Sequence, residues 1–137
     1  MNFLRGKLVA DGAGLAFVLE HGGQNSLLPL PMKFASMASV IAGGEVILGL
    51  RPEHVTDFAS ARRAESMQDY HAAEVLCTVE LTEPTGPDTL VFAWFNQSRI
   101  TCRTHPRAAA MPGQQMTLAF DLSKAVLFDP VTEQRLV

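Results

Sequence analysis

With 137 residues, 47% of them hydrophobic and 7% aromatic, the chain suits one domain or two very small ones and is too apolar for intrinsic disorder. Its 11 Lys and Arg against 14 Asp and Glu leave a formal charge of −3, the wrong sign for a nucleic-acid binder, whose affinity comes largely from neutralising phosphates. Two cysteines, Cys77 and Cys102, exclude a disulfide framework and read as free thiols in or near the core, which fits a reducing compartment.

In chain order, period-two patterning dominates. The turn-forming run Asp11-Gly12-Ala13-Gly14 separates the first strand from an apolar stripe at Leu15, Phe17 and Leu19. His21-Gly22-Gly23-Gln24-Asn25 divides that strand from Ser26–Leu30. Pro31 to Ile41 fits either a short helix or a covering loop. Ala42-Gly43-Gly44 precedes a strand over Glu45–Leu50. Thr56 to Tyr70 is polar, contains good helix formers and lacks a clear period; it reads as an irregular or helical linker over about 56–70, between parts of similar length. Ala73, Val75, Cys77, Val79 and Leu81 then alternate with Glu74, Thr78 and Glu80, and Leu76 alone breaks the pattern of a half-buried strand. Thr82 to Asp88, with two prolines, predicts a rigid turn. Leu90 to Phe95 is continuously apolar, which predicts a strand covered on both faces, with Trp94 and Phe95 in the core rather than on a surface. Asn96-Gln97 reads as a tight hairpin, because Asn tolerates positive φ. Ile100 and Cys102 alternate with Arg99, Thr101 and Arg103, Met111-Pro112-Gly113 closes a connection, and Met116, Leu118 and Phe120 mark a last clear strand. Short strands at near-regular spacing predict an all-β barrel or sandwich of antiparallel strands, with room for one or two short helices.

Familiar catalytic chemistry is missing from the sequence. A phosphate-binding loop needs Gly-x-x-x-x-Gly-Lys-[Ser/Thr]; the only Gly-Lys pair, Gly6-Lys7, is followed by Leu8 and has no glycine five positions earlier. There is no Gly-x-Ser-x-Gly elbow. His21, His54, His71 and His105 are far apart, and no Cys or His pair has metal-ligand spacing. No catalytic residue, metal ligand or cofactor site is therefore assigned. The apolar runs fall short of the ~20 residues that span a bilayer. The start, Met1-Asn2-Phe3-Leu4-Arg5, lacks the pattern of a signal peptide, so the expectation is a cytoplasmic chain.

Three segments resemble one family. Leu48-Gly49-Leu50-Arg51-Pro52-Glu53-His54-Val55 is similar to the Gly-Ile-Arg-Pro-Glu-His-Leu signature in the C-terminal domains of ABC-importer ATPases of the maltose and glycerol-phosphate type. Val79 to Thr89 resembles that family's Glu-x-x-Gly-x-[Glu/Asp] turn. Leu127-Phe128-Asp129-Pro130-Val131-Thr132-Glu133-Gln134-Arg135-Leu136 is similar to its terminal Leu-Phe-Asp-x-x-Thr-Gly-x-Arg-Leu. Met1 to Leu4 resembles the junction where the ATPase core passes into the regulatory domain. The likeness runs through the whole chain in the family's order. It departs at Val126, where the family often has His, and at Glu133, where it often has Gly.

The resemblance implies a single transport-associated, OB-type regulatory domain over 1–137, with the ATPase domain absent and both halves of the chain contributing to the barrel. It implies a non-catalytic regulatory and dimer-contact role in a sugar or glycerol-phosphate importer, at the cytoplasmic side of the inner membrane. The implied partners are the chain's own ATPase domain, a second copy in a homodimer and the transporter's membrane subunits, with a protein or small-molecule regulator as a further candidate. ATP and Mg belong to the full-length parent. The alternative is a module that senses a sugar, phosphate ester or oxyanion. Candidate regulatory or interface residues are Arg51, Pro52, Glu53, His54, Glu83, Gly86, Asp88, Phe128 and Asp129. From the residues themselves, Arg51 to His54 ends a strand and locks a corner, or lines an inter-domain contact. Glu83 to Asp88 is a stiff hairpin, or shapes a site at a barrel rim. Phe128 reads as an aromatic plug, followed by the turn-forming Asp129. Arg99 and Arg103 share a strand face that reads as solvated, with an anion site as the lesser reading.

Overall fold

Alternating apolar and polar side chains make ribbons with one greasy face, and here two sheets bury those faces in a common core. The computed structural model describes residues 1–12, 14–21, 24–37, 44–57, 59–61, 72–108 and 110–136. Among them, one antiparallel sheet contains β1 (Asn2–Asp11), β2 (Gly14–His21), β3 (Gln24–Pro29), β4 (Glu45–Leu50) and β10 (Val126–Phe128), in the order β10-β4-β1-β2-β3. The other contains β5 (Val55–Asp57), β6 (Ala72–Pro84), β7 (Thr89–Phe95), β8 (Ser98–Thr104) and β9 (Gln115–Asp121), in the order β5-β9-β6-β7-β8. Short 3-10 segments η1 (Met32–Met37), η2 (Pro52–His54) and η3 (Leu122–Lys124) lie between strands.

The first sheet is a three-strand meander with β4 returning beside β1 and β10 beyond β4. That is the strand order of a five-stranded, partly open Greek-key barrel of the OB type. Its last strand comes from the far end of the chain, so the second sheet is threaded between β4 and β10. In the second sheet the two edge strands, β5 and β8, approach each other and curl it toward closure. The all-β, OB-like class follows directly, as do the contributions of both halves.

Several details depart from the sequence reading. β7 alternates rather than being covered on both faces: Val91, Ala93 and Phe95 are buried, whereas Trp94 is 42% exposed. Trp94 therefore sits at the surface. Thr82 to Pro84 continue β6 instead of joining the turn, across a register shift between Val79 and Leu81. That shift leaves both Glu80 and Leu81 facing out, so the expected inward place of Leu81 is lost. Leu76 lies on the exposed face of β6. The proposed linker begins with a strand, since Thr56 and Asp57 belong to β5; residues 59–61 form a helical turn, and 62–70 lie outside the described residues. In the 31–41 stretch Met32–Met37 is a 3-10 segment, and 38–41 lie outside the described residues.

Asparagine side chains join the two sheets. Asn2, on the inward register of β1 and 7% exposed, donates from Nδ2 to the Thr101 carbonyl at 2.8 Å and accepts from the Thr101 N–H at 2.8 Å. Its carboxamide thus acts as a one-residue partner for the edge of β8, whose backbone groups would otherwise be left unpaired. Asn96 in the β7–β8 hairpin donates to the Leu19 carbonyl at 3.1 Å. Both Asn96 and Gln97 have positive φ, 48° and 71°, as a two-residue hairpin requires.

Candidate functional site

Arg51 to His54 form the corner between the two sheets. Arg51 is extended, with φ −71° and ψ 149°, as the residue before a proline is pushed to be. Pro52 opens η2, the His54 N–H donates to the Arg51 carbonyl at 2.9 Å, and the buried Val55 starts β5. Arg51 and Glu53 are exposed and His54 is half-buried. No ion pair joins Arg51 to Glu53 among the described residues. A hydrogen bond from its own backbone N–H holds Glu53 below its usual carboxylate pKa; slight desolvation opposes this, and His54, Arg51 and Arg103 add to it. Arg103 belongs to β8, which packs beside η2. The corner is thus a strand terminus that also presents charge to solvent.

Glu83, Gly86 and Asp88 lie in the β6–β7 connection. Glu83 faces Leu90 across the ladder, and the Thr85 N–H closes the turn onto the Asp88 carbonyl at 3.0 Å. Gly86 has φ +102°, which is why glycine stands there. Glu83 and Gly86 are exposed, and Asp88 is half-buried. Among the described residues no hydrogen bond or ion pair links this hairpin to the Arg51 corner or to the C-terminal tail.

Phe128 ends β10, paired with Ile47 of β4. It is half-buried rather than a sealed plug, with its ring in edge contact with Phe3 at 5.9 Å between centroids and 68° between planes. Gly49 lies beneath it: a Cβ there would come within 2.8 Å of Phe128 Cε2. Asp129 organises the turn that follows, with Oδ1 accepting from the N–H groups of Val131 at 2.8 Å and Thr132 at 2.9 Å. Those two N–H groups hold its carboxyl below the usual range. The chain then doubles back, and the Leu136 N–H donates to the Leu127 carbonyl at 2.7 Å.

The structure adds residues that the sequence reading passed over. Asp57, 3% exposed, ties β5 to the end of β8. Its carboxylate accepts from the Ser60 N–H at 2.9 Å, the Ser60 hydroxyl at 2.8 Å and the His105 N–H at 3.0 Å. Burial raises its pKa, but these donors outweigh burial and hold it below the ordinary value. Asp57, Ala59, His105, Arg107 and Ala108 line an open cavity of about 430 Å³. Phe3, Ile47, Phe128 and Glu133 line a second one of about 270 Å³. The only advance signal for Asp57 was an acidic residue two positions after a buried valine. Cys77 and Cys102 are buried thiols pushed up to about 12 by burial, which makes them poor nucleophiles. Arg99 pairs with Glu80 at 3.1 Å and lies over the Phe92 ring at 5.5 Å. Among the described residues no group of three His, Cys, Asp or Glu side chains is placed to hold a metal ion, and no helix is long and apolar enough to cross a membrane.

Residues 1–55 match the model of the MalK OB fold domain, and residues 48–128 match that of the TOBE domain. Over 134 residues the chain is 31% identical to the sulfoquinovosyl glycerol transport ATP-binding protein SmoE of Agrobacterium fabrum, covering 98% of this chain and 33% of that protein. It is 26% identical over 136 residues to the oligosaccharides import ATP-binding protein MsmX of Bacillus subtilis, covering 99% of this chain and 34% of the relative. Against the sn-glycerol-3-phosphate import ATP-binding protein UgpC of Chromohalobacter salexigens it is 31% identical over 114 residues, 82% of this chain and 29% of the relative. The chain thus spans about a third of the length of these relatives. Among solved structures, the cytoplasmic molybdate-binding protein ModG with molybdate bound superposes with a TM-score of 0.61 at 18% identity, over 94% of this chain and 96% of that one.

Proposed function

We infer the function from one premise: this chain belongs to the TOBE-domain family, and its homologues are C-terminal regions of ATP-binding subunits of sugar and glycerol-phosphate importers. On that premise the chain is a non-catalytic regulatory and dimer-contact domain. It works on the cytoplasmic face of an importer, next to an ATPase domain that supplies the ATP and Mg chemistry. The observation that carries this reading is the alignment of 98% of the chain, at 31% identity, with a transport ATP-binding protein, in a sequence with no phosphate-binding loop. The mechanism is allosteric. The domain favours one arrangement of the ATPase halves, and an effector shifts that balance only by binding one arrangement better than the other.

The exposed corner Arg51, Pro52, Glu53 and His54 and the hairpin carrying Glu83, Gly86 and Asp88 are the proposed contact surfaces, together with Phe128 and Asp129 at the tail. Their partners are the ATPase domain, a second copy and, through the parent, the membrane subunits. The test is an ATP-binding subunit carrying this domain, compared with the same subunit cut back to its ATPase core. Loss of the domain is expected to weaken homodimerisation in sedimentation experiments and to change the ATPase rate. Unchanged dimerisation and rate would overturn the reading. A second reading, a module sensing an oxyanion, is favoured by the shared fold with a molybdate-binding protein. A molybdate- or sulfate-dependent rise in Tm supports it, since a ligand that binds only the native state stabilises that state.

A further inference from the structure

Glu133 has φ +61°, a left-handed conformation that a long side chain disfavours and that a glycine adopts freely. Its N–H is held by the Asp129 carbonyl at 2.8 Å, within the turn that Asp129 organises. The chain nevertheless carries a carboxylate there, beside the 270 Å³ cavity shared with Phe3, Ile47 and Phe128. The two phenylalanine planes stand 68° apart and form a corner of that cavity. Phe3 is 59% exposed. Gly49 leaves the room that the Phe128 ring occupies. Among the described residues Glu133 forms no ion pair.

We propose that the cavity bounded by Phe3, Ile47, Phe128 and Glu133 is a binding site for a small organic cation of the quaternary- or alkyl-ammonium class. Aromatic faces attract such cations through the ring quadrupole, and they do so most where water is partly excluded. The Glu133 carboxylate supplies the opposite charge, and Ile47 gives apolar surface to an alkyl stem. Arg5, opposite Ile47 in the β1–β4 register, and Arg135, bridged to Phe128, are positive residues next to the cavity and keep the affinity modest. A Kd of about 1 mM is expected.

Choline is the probe, titrated into the 137-residue chain and followed by amide and methyl NMR shifts. The shifts are expected at Phe3, Ile47, Phe128 and Glu133. The uncharged carbon analogue 3,3-dimethylbutan-1-ol should bind about fivefold more weakly, and Glu133→Gln should weaken choline by a similar factor. Glu133→Gly should also weaken choline while raising Tm, because it removes the carboxylate and relieves the backbone. That pairing separates loss of the site from loss of the fold. Equal binding of choline and its uncharged analogue, unchanged affinity in Glu133→Gln, shifts that map elsewhere, or no saturable binding would each overturn the proposal.

Discussion

Asp57 shows how one side chain can carry a junction. It is buried, and its carboxylate accepts from part-buried donors of Ser60 and His105, which ties the end of β8 to β5. Asp57→Ala removes the acceptor shared by Ser60 and His105 and is expected to cost about 1 kcal/mol in urea unfolding. Because its folded pKa lies below its unfolded value, the carboxylate contributes stability above about pH 4, and that contribution disappears as pH falls through the folded pKa. Unfolding curves between about pH 2 and 6 should therefore fall more steeply on the acid side in the native protein than in Asp57→Asn. A variant with the same acid slope would show that Asp57 is not the titrating group. At the same scale, Glu133 was visible in the sequence only as a departure from a family glycine. The φ of +61° at Glu133, which a glycine adopts freely, is a backbone property.

At the scale of the element, the strands follow from local rules, and their edges depend on what lies beside them. β8 is an edge strand protected by the Asn2 carboxamide, which reaches it from a residue 99 positions away. Asn2→Ala removes both hydrogen bonds and should destabilise the fold by about 1–3 kcal/mol. Hydrogen exchange at the Thr101 amide should accelerate by at least as much as global unfolding requires. Protection unchanged at Thr101 would mean that another group covers this edge. The alternation in β6 and β8 was legible because each has one buried face, whereas β9 alternates in burial only as far as Leu118 and is then buried on both sides, Ala119 and Asp121 included. β7 misled, because its outward residues Leu90, Phe92 and Trp94 are as apolar as its inward ones. Composition alone does not distinguish such a strand from one that is covered twice.

At the scale of the whole molecule, the threading of β10 back into the first sheet makes one core out of two sheets. Leu127, fully buried in that core, is the peg of that closure. Leu127→Ala is expected to cost about 2–5 kcal/mol, with a single cooperative transition retained by fluorescence of Trp94 and by far-UV circular dichroism. Two separated transitions would show instead that the sheets fold independently. The same threading places the first and last strands on either side of β4, which is how Phe3 and Phe128 meet although they are 125 positions apart. The regulatory role proposed above also belongs to this scale, since it needs a rigid body to transmit a change in one ATPase half to the other.

By itself the sequence determined the all-β class, most strand positions, the tight Asn96-Gln97 hairpin and the family, because short-range alternation and ordered signatures depend only on neighbours along the chain. The tertiary structure alone decided which sheet each strand joined, that β10 returns to β4, and that Asn2, Asp57 and Asn96 stitch distant segments. It also decided that Trp94 faces out and that Phe3, Ile47, Phe128 and Glu133 enclose one cavity. The reason is physical. Pairings between residues far apart in the chain are chosen by the total burial and hydrogen bonding of the finished core, and no local stretch of sequence contains that sum.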